Sequence, residues 1–444
     1  MADEPLGRSP VQGVMSMARL LDTAEAGFAE AFSRVLADRN EEVADVAAAV
    51  RAIIDRVRNE GDAALHDLTT RFDRFDSRAT GLRIDAADVA AARARIPADV
   101  MEALKLAAER IRAYHERQMP DDELWTDETG TRLGHRWRPV DAAGLYVPGG
   151  LAAYPSSVLM NAIPAKVAGV KRLVMVVPTP EGALNDLVLA AADLAGVDEI
   201  WRIGGAQAIA ALAHGTESIR PVDIIVGPGN AYVAEAKRQV FGQVGIDMIA
   251  GPSEVLVIAD ATANPVWVAA DLLAQAEHDT AAQAILITPE RSLAEAVMAE
   301  VERQLADLPR VDIAGESWRR HGAIIVCRDL EEAARLSDQV APEHLELAVA
   351  DPEKLMEKVT HAGAIFLGHH TPEAVGDYVA GPNHVLPTSR SARFSSGLNV
   401  LSFMKRTTIL GCTPDALAHI GPAAVRLAEV EGLEAHARSV RHRL

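Results

Sequence analysis

Cysteine is scarce in this chain, with two residues among 444. Two thiols cannot build a disulfide framework or a thiolate zinc site. Cys327 ends the apolar stretch GAIIVC and Cys412 follows a glycine in ILGCTP. Both are interpreted as small buried or half-buried apolar residues rather than nucleophiles. A metal ion in this protein must therefore be held by imidazole, carboxylate or amide groups.

The chain also lacks an excess of positive charge and any long apolar run. Its 44 Lys+Arg stand against 63 Asp+Glu, and the formal net charge of −19 argues against binding to nucleic acid or anionic membranes. No run of about eighteen apolar residues is present, so no transmembrane helix is predicted. The first residues, MADEPLGRSP, are acidic and lack the apolar core of a signal peptide. We therefore expect a soluble cytoplasmic protein.

Short apolar segments alternate with helical patterns through the middle of the chain. Hydrophobic residues make up 49% and charged residues 24%, which is ordinary for a globular protein, and the length predicts two or three domains. Regular strand–helix alternation predicts an α/β architecture with parallel sheets. The first forty residues and the portion after about Asn399 are predicted to be helical. The predicted strands are RLVMVV, EIWRI, DIIVG, EVLVIA, AILIT, AIIVC, LELAV and AIFLG.

The dinucleotide fingerprint G-x-G-x-x-G is missing, although two glycine-rich turns precede predicted helices. These turns open GGAQAIAALAHG (204–215) and GPGNAYVAEAKRQ (227–239). They fall at the carboxyl edge of the predicted sheet, where main-chain N–H groups can hold a nucleotide. The alternative is that they are tight strand-to-helix turns that use glycine for its backbone freedom. From the turns alone, this structural alternative is favoured.

A candidate half of a metal site lies in LLAQAEHD, residues 272–279. Gln275 and His278 are three residues apart and face the same side of the helix predicted there. The alternative is a polar last turn in which the histidine bonds a main-chain carbonyl. Taken alone, that alternative is favoured.

A carboxylate and an imidazole are adjacent in APEHLEL, residues 341–347. Glu343 and His344 have the chemistry of two proton acceptors with different pKa values, which suits two proton transfers. An exposed helix-to-strand connection explains the pair equally well, and the residues alone leave both interpretations open.

Two further segments carry metal-competent side chains. Asp377 and His384 lie in TPEAVGDYVAGPNHVLPT (371–388), where a surface turn and loop are the alternative. EGLEAH (431–436) supplies Glu431, Glu434 and His436, among which spacing does not choose. Together with the absence of a thiolate site, these segments suggest a mixed oxygen and nitrogen metal centre assembled from several parts of the chain.

These segments carry a family resemblance. The run IDMIAGPSEVLVIADATANPVWVAADLLAQAEH, residues 246–278, closely resembles the signature segment of histidinol dehydrogenases. The resemblance extends from about Val43 to His436. Its further motifs are YVPGG, YPSSVLMNAIPAKVAGV, GGAQAIAALAHGT, GPGNAYV, APEHLEL, GDYVAGPNHVLPT and EGLEAH.

The resemblance implies a zinc-dependent enzyme that oxidises L-histidinol to L-histidine in two NAD-dependent steps through L-histidinal, the last reaction of histidine biosynthesis. It also implies a homodimer whose sites are shared between subunits. Gln275, His278, Asp377 and His436 match the zinc ligands, with His436 supplied by the other subunit. Glu343 and His344 match the catalytic proton acceptors. Ser253, His384 and Glu431 match positions that contact substrate, Glu431 again from the other subunit, and the zinc ligands and His344 also face the substrate. Tyr146, Gln207 and Asn230 match positions that contact NAD.

The implied fold consists of two incomplete Rossmann-like, aldehyde dehydrogenase-like parallel-sheet domains with small helical extensions at both ends. We expect a helical extension over residues 1–40 and a first domain formed by residues 41–145 and 255–398. A second domain is expected over residues 146–254, and a C-terminal helical arm over residues 399–444 that contacts the partner subunit.

Three other functions compete with this one. A relative within the family can act on another amino alcohol or diol, but Glu431 and His384 suit a cationic imidazole-bearing substrate better than a sulfonate. A zinc hydrolase with Glu343 as its base forms product without NADH, so the two are separable by assay. A non-catalytic metal-binding scaffold does not explain the adjacent Glu343 and His344.

Overall fold

The computed structural model describes residues 18–37, 46–149, 154–249 and 251–444. The strands are β1 Arg19–Asp22, β2 Glu123–Thr126, β3 Arg132–Pro139, β4 Ala142–Tyr146, β5 Arg172–Val176, β6 Glu199–Trp201, β7 Ile224–Val226, β8 Gly245–Ile246, β9 Glu254–Ala259, β10 Gln283–Thr288, β11 Ala323–Val326, β12 His344–Ala348, β13 Ala364–Leu367 and β14 Met404–Gly411. The helices are α1 Phe28–Ala37, α2 Ala47–Glu60, α3 Asp62–Asp73, α4 Ala86–Arg95, α5 Ala98–Glu116, α6 Pro155–Ala168, α7 Asp186–Ala195, α8 Gly205–His214, α9 Ala231–Val240, α10 Pro265–Ala276, α11 Arg291–Leu305, α12 Val311–His321, α13 Leu330–Val340, α14 Pro352–Met356, α15 Glu373–Val375, α16 Pro414–Val430 and α17 Glu434–Arg441.

The chain divides into two compact units. The first contains the residues up to Val50 together with Pro228–Glu235 and Met248–Leu398. The second contains Arg51–Gly227, Ala236–Asp247 and Asn399–Leu444. Each unit therefore draws on segments that are distant in the sequence.

The first unit is built on a six-stranded parallel sheet in the order β1-β11-β10-β9-β12-β13. Helices α10, α11 and α12 bury one face, with Trp318 fully enclosed there. Helices α1, α13 and α14 bury the other face, where Phe32 and Leu355 pack. Because both faces are covered, β9, β10 and β12 are buried along their whole length.

The second unit contains a five-stranded parallel sheet in the order β6-β5-β4-β7-β8 and a three-stranded antiparallel sheet, β14-β3-β2. Strand β14 pairs with β3 along eight residues, from Met404 opposite Pro139 to Gly411 opposite Arg132. The C-terminal helices α16 and α17 follow β14 and pack against each other.

The expected fold class is confirmed: there are two parallel sheets, and all eight apolar segments predicted as strands are strands. The expectation for the chain ends is only partly right. Arg19–Asp22 is a strand, because its main chain pairs with β11. The four-residue segment alone gives no pattern from which this pairing could be predicted. Met404–Gly411 is likewise a strand within the predicted helical arm, with its partner far upstream. Residues 1–17 and 38–40 of the predicted N-terminal extension lie outside the described residues.

The division into units differs from the predicted domain boundaries. The prediction joined residues 41–145 to residues 255–398, whereas Arg51–Gly227 forms one stretch of the second unit. The reason is visible in the sheet, since β4 lies between β5 and β7 in the middle of the second unit's parallel sheet. No described helix is long and apolar enough to cross a membrane.

A buried ion pair holds the turn after β7 in the second unit. Lys237 and Asp247 form a salt bridge with almost no exposure of either side chain. The Lys237 ammonium also donates to the Gly227 carbonyl at 3.0 Å, and Asp247 accepts the Gly227 N–H at 2.8 Å. Gly227 has a φ of 110°, and a Cβ there would lie 2.2 Å from the Tyr146 carbonyl oxygen. The pair therefore fixes a turn that only glycine can form.

We expect Lys237→Met to lower the free energy of unfolding by about 3–5 kcal/mol, because it leaves the Asp247 carboxylate buried without its cation. The matched control is Lys358→Met, which removes the exposed pair with Glu331 and should cost about 0–1 kcal/mol. Urea denaturation of the two variants measures the difference. Equal shifts would contradict a structural role for the buried pair.

Candidate active site

The candidate proton acceptors lie at the amino edge of the first unit's sheet. His344 is the first residue of β12, Glu343 precedes it, and Glu254 begins the neighbouring strand β9. The Glu254 N–H donates to Glu343 Oε2 at 2.9 Å, and His344 Nδ1 lies 3.0 Å from the Glu254 carbonyl oxygen. A carbonyl oxygen only accepts, so Nδ1 carries the hydrogen. In the neutral ring, Nε2 therefore keeps the lone pair that a general base needs.

Three carboxylates surround the His344 imidazole. Glu343 Oε2 and Glu373 Oε1 each lie 3.7 Å from Nδ1, and Asp377 Oδ1 lies 3.5 Å from Nε2. Glu343, His344 and Glu373 are buried. Burial alone would lower the pKa of His344, but the charges of Glu373, Glu343 and Asp377 outweigh it and raise this pKa to about 10. The surrounding carboxyl groups therefore favour a positive charge on the ring.

Glu373 and Asp377 enter the site from the segment after β13. Glu373 begins α15, and Asp377 lies in the π-helical turn Gly376–Ala380 that follows. Burial raises the pKa of Glu373, whereas the nearby His344 ring lowers the pKa of Asp377 against the effect of burial. One ligand atom from each of His344, Glu373 and Asp377 lies within 4.8 Å of the others, close enough to share a cation. Sequence reasoning did not select Glu373, whose only signal is its spacing of four residues from Asp377.

Helix α10 brings Gln275 to the same side as Asp271, which lies four residues earlier. Gln275 is completely buried, and neither its Oε1 nor its Nε2 has a hydrogen-bond partner among the described residues. A buried amide without partners is costly, so its presence indicates a ligand for the oxygen. His278 lies two residues beyond the helix end, and its charge interacts with that of Asp377.

A second pair of acids, Asp271 and Glu346, links the elements that carry the site residues. Asp271 is hydrogen-bonded to Glu346, a buried residue of β12, and burial raises the pKa of both carboxyl groups. Glu346 Oε1 also accepts the Glu373 N–H at 2.7 Å. The pair thus connects α10 and β12 to the start of α15. Sequence reasoning missed both acids because nothing in the sequence shows that they meet.

The remaining predicted residues of the first unit are His384, Ser253 and Asn230. Burial lowers the pKa of His384, and its Nε2 has no hydrogen-bond partner among the described residues. Ser253 directly precedes Glu254, and its carbonyl accepts the Gln283 N–H at 3.0 Å. Asn230 Oδ1 accepts the N–H groups of Tyr232 and Val233 at 3.1 and 3.2 Å, so it caps α9.

Tyr146 and Gln207 belong to the second unit. The Tyr146 hydroxyl accepts the N–H of Gly205, at the start of α8, at 3.1 Å, and burial raises the pKa of Tyr146 to about 12. Gln207 is buried in the first turn of α8. A cavity of about 180 Å³ opens beyond the carboxyl ends of β4 and β5, lined by Pro148, Val177, Leu184 and their neighbours.

Glu431 and His436 are exposed on the second unit's C-terminal helices. Glu434, which spacing did not separate from its neighbours, accepts hydrogen bonds from Arg438 and Arg441 at 3.0 Å each. Both bonds are made to Oε1 by arginines of the same helix, and Glu431 and His436 stay the residues that the family resemblance selects.

Cys327 belongs to the first unit and Cys412 to the second. Cys327 follows β11 at the carboxyl edge of the sheet, and burial raises the pKa of its thiol to about 12. Such a thiol holds its proton at neutral pH and is a poor nucleophile. Cys412 is exposed, so the expectation that it is buried or half-buried was wrong. It follows the solvent-facing end of β14, where no core is available to cover it.

Comparison with known proteins decides the family. A family model described as "Histidinol dehydrogenase" matches residues 36–444. This chain belongs to the histidinol dehydrogenase family. A relative named histidinol dehydrogenase from Cereibacter sphaeroides is 63% identical over 428 residues, covering 96% of this chain and 99% of the relative. One from Rhodospirillum rubrum is 64% identical over 425 residues, covering 96% and 98%.

A solved structure agrees with this assignment. The crystal structure of histidinol dehydrogenase from Elizabethkingia anophelis has a TM-score of 0.92 and 37% identity, with 96% of this chain and 98% of that chain covered. The resemblance seen in the sequence is therefore confirmed, and so is the expected class of enzyme, a dehydrogenase.

We expect Cys327→Ala and Cys412→Ala to retain most of the dehydrogenase activity, because neither thiol belongs to the site around His344. Cys327→Ala should lower the free energy of unfolding by about 1 kcal/mol through lost packing, while Cys412→Ala should leave it unchanged. Steady-state rates and thermal melts measure both effects. Near-complete loss of turnover in a folded variant would point to thiol chemistry instead.

Proposed function

We propose that this protein oxidises L-histidinol to L-histidine through L-histidinal, using zinc and two molecules of NAD+, as the final step of histidine biosynthesis. The observation that supports this most directly is the His344 imidazole, held by a main-chain carbonyl so that Nε2 faces Asp377 beside Glu343. A positioned base can take the proton of an alcohol, and a cluster of carboxylates favours a cation that can bind an amino group. A member of this family with both features is suited to oxidising an amino alcohol.

The residues fit zinc. Gln275 offers an unpartnered buried amide oxygen, Asp377 a carboxylate and His278 an imidazole, and these are donor types that zinc accepts. The excess of buried carboxylates around His344 also favours a cation. The fourth ligand in our proposal is His436 from a second subunit. When bound, zinc would hold the amino and imidazole nitrogens of the substrate and so fix its reacting carbon.

His344 and Glu343 divide the proton transfers in this proposal. His344 Nε2 takes the hydroxyl proton of the alcohol as the carbon gives up its hydride, for which bound NAD+ is the acceptor. Glu343 takes a proton from the water that hydrates the aldehyde. His344, having released its first proton, then serves the oxidation of the hydrate. Two oxidations therefore need two NAD+ and one added water.

The second unit supplies the features expected of a dinucleotide site. Its apolar cavity lies beyond the carboxyl ends of β4 and β5, where doubly wound sheets bind nucleotides. The Gly204–Gly205 turn and Gln207 follow β6 in the same sheet. We propose that Tyr146 and Gln207 contact NAD, and that Asn230, which belongs to the first unit, does so as well. Asn230 also caps α9, so part of its role is structural.

A homodimer is part of the proposal. The C-terminal helices expose several large apolar side chains, Leu427, Val430 and Leu433 among them, in the segment that carries Glu431 and His436. Apolar residues grouped in this way favour burial against another surface. A second subunit that covers them would bring Glu431 to the substrate and His436 to zinc. The cytoplasmic location stays a prediction.

The proposal predicts that two NADH form for each L-histidinol consumed, and that a chelator stops turnover until zinc is restored. Glu343→Gln should move the ratio towards one, because it impairs hydration of the aldehyde, whereas His344→Asn should suppress both oxidations. Absorbance of NADH with product analysis measures the ratio. Product without NADH would support the zinc hydrolase instead, and turnover of another diol but not of L-histidinol would support a different substrate.

Metal binding is testable without activity. In the metal-free protein, we expect Gln275→Leu to be neutral or to raise the free energy of unfolding by about 1–3 kcal/mol, because it removes a buried unpaired amide. Added zinc should raise the melting temperature of the wild type but not of this variant. Gln304→Leu on α11, which removes a partnered amide, is the control and should keep the zinc response. An unchanged zinc response in Gln275→Leu would exclude this residue as a ligand.

A further inference from the structure

The first residue of β9 joins the site to a second loop through three separate groups. Its main-chain N–H and carbonyl hold Glu343 and His344, as described above. Its side chain points to a different partner, since Glu254 Oε1 accepts the Ser389 N–H at 2.5 Å. Glu254 is buried, so this bond is made away from solvent.

The turn that contains Ser389 has a strained backbone. Ser389 and Arg390 both adopt the left-handed region, with φ values of 52° and 63°, which side chains other than glycine rarely occupy. A backbone of this kind persists only where surrounding groups hold it. This turn ends the loop that carries His384.

The turn also lies directly against the segment before β9. The Gly251 N–H donates to the Thr388 hydroxyl at 2.6 Å. A Cβ on Gly251 would lie 2.2 Å from Ser389 Oγ, so the serine side chain packs directly against Gly251. A displacement of the turn therefore bears on residues 251–254.

We propose that Glu254 is a positioning residue, whose side chain anchors the turn at residues 388–390 and thereby keeps the start of β9 where its main chain orients Glu343 and His344. This inference rests on the proposed function, because it assigns those two residues the proton transfers. In this proposal, Glu254 does not take part in either proton transfer. It acts through Glu343, His344 and the Ser389 turn, to which it is hydrogen-bonded.

The test compares two replacements of similar size. Glu254→Gln keeps an oxygen that accepts the Ser389 N–H, whereas Glu254→Met removes it and leaves that N–H buried without a partner. We expect Glu254→Gln to retain kcat within about threefold and Glu254→Met to lower it on the order of 100-fold, as a misplacement near 1 Å does. The KM for L-histidinol should change far less than kcat.

The matched control lies at the other end of the same strand. Asp260 follows β9 and accepts the Ala350 N–H at 2.9 Å, so Asp260→Leu removes a comparable anchor away from His344. It should lower the melting temperature without lowering kcat. Thr388→Val removes the hydroxyl that accepts the Gly251 N–H and should lower kcat less than Glu254→Met does. It replaces Glu254→Met as the test variant if that protein does not fold.

The outcomes separate the two proposals. A wild-type protein that produces no NADH from L-histidinol would overturn the proposed function. Wild-type turnover that persists in folded Glu254→Met, or that stays unchanged in Thr388→Val where the former does not fold, would overturn the positioning role alone. Equal loss of kcat in Asp260→Leu would also overturn it, because the effect would then come from strand stability.

Discussion

The site depends on a Coulombic imbalance: one buried imidazole faces three carboxylates. Glu343, Glu373 and Asp377 lie within 3.7 Å of the ring nitrogens of His344, where water is largely excluded. Buried carboxylates are costly without a partner, so this arrangement favours a positive charge among them. Without a metal ion, the His344 ring supplies that charge, and its pKa is raised accordingly. In the proposed function, a cation held by Asp377 would supply positive charge in place of the protonated ring, and the neutral Nε2 would then accept a proton.

The scaffold explains how such a costly group of side chains keeps its geometry. His344 and Glu254 begin adjacent strands that helices cover on both faces, so their main chains have little freedom. A hydrogen bond from the imidazole to a main-chain carbonyl sets which nitrogen is the base more firmly than a mobile side chain would. The site also lies at the amino edge of this sheet, whereas the cavity in the second unit lies at a carboxyl edge. In the proposed function, the two edges would serve different chemistry: proton transfer in the first unit and nucleotide binding in the second.

The sequence predicted the secondary-structure elements better than the tertiary contacts between them. Helical spacing selected Gln275 and His278 as a pair, although α10 ends at Ala276, before His278. The eight strands were readable because doubly covered strands are nearly continuous apolar runs. Strands β1 and β14 were not, since each depends on a partner far along the chain. The sequence analysis did not select Glu373, Asp271 or Glu346 for a similar reason. A glutamate in TPEAVGD or LEL looks solvated until the fold buries it, and only the convergence of α10, β12 and α15 gives it neighbours. The family resemblance selected ligands and bases, but not the residues that hold them.

Gln275 shows the energetic cost of this arrangement. A leucine at its position would fill the same space without leaving an amide oxygen and nitrogen unbonded in the core. The same holds for the carboxyl groups of Glu373 and Glu346, whose burial raises their pKa values and disfavours the ionised forms. None of these choices stabilises the metal-free fold, and under the proposed function each would become favourable when a cation and a polar substrate bind. Residues that contradict the packing rules of their surroundings, and that converge from separate elements, therefore identify the functional centre from physics alone.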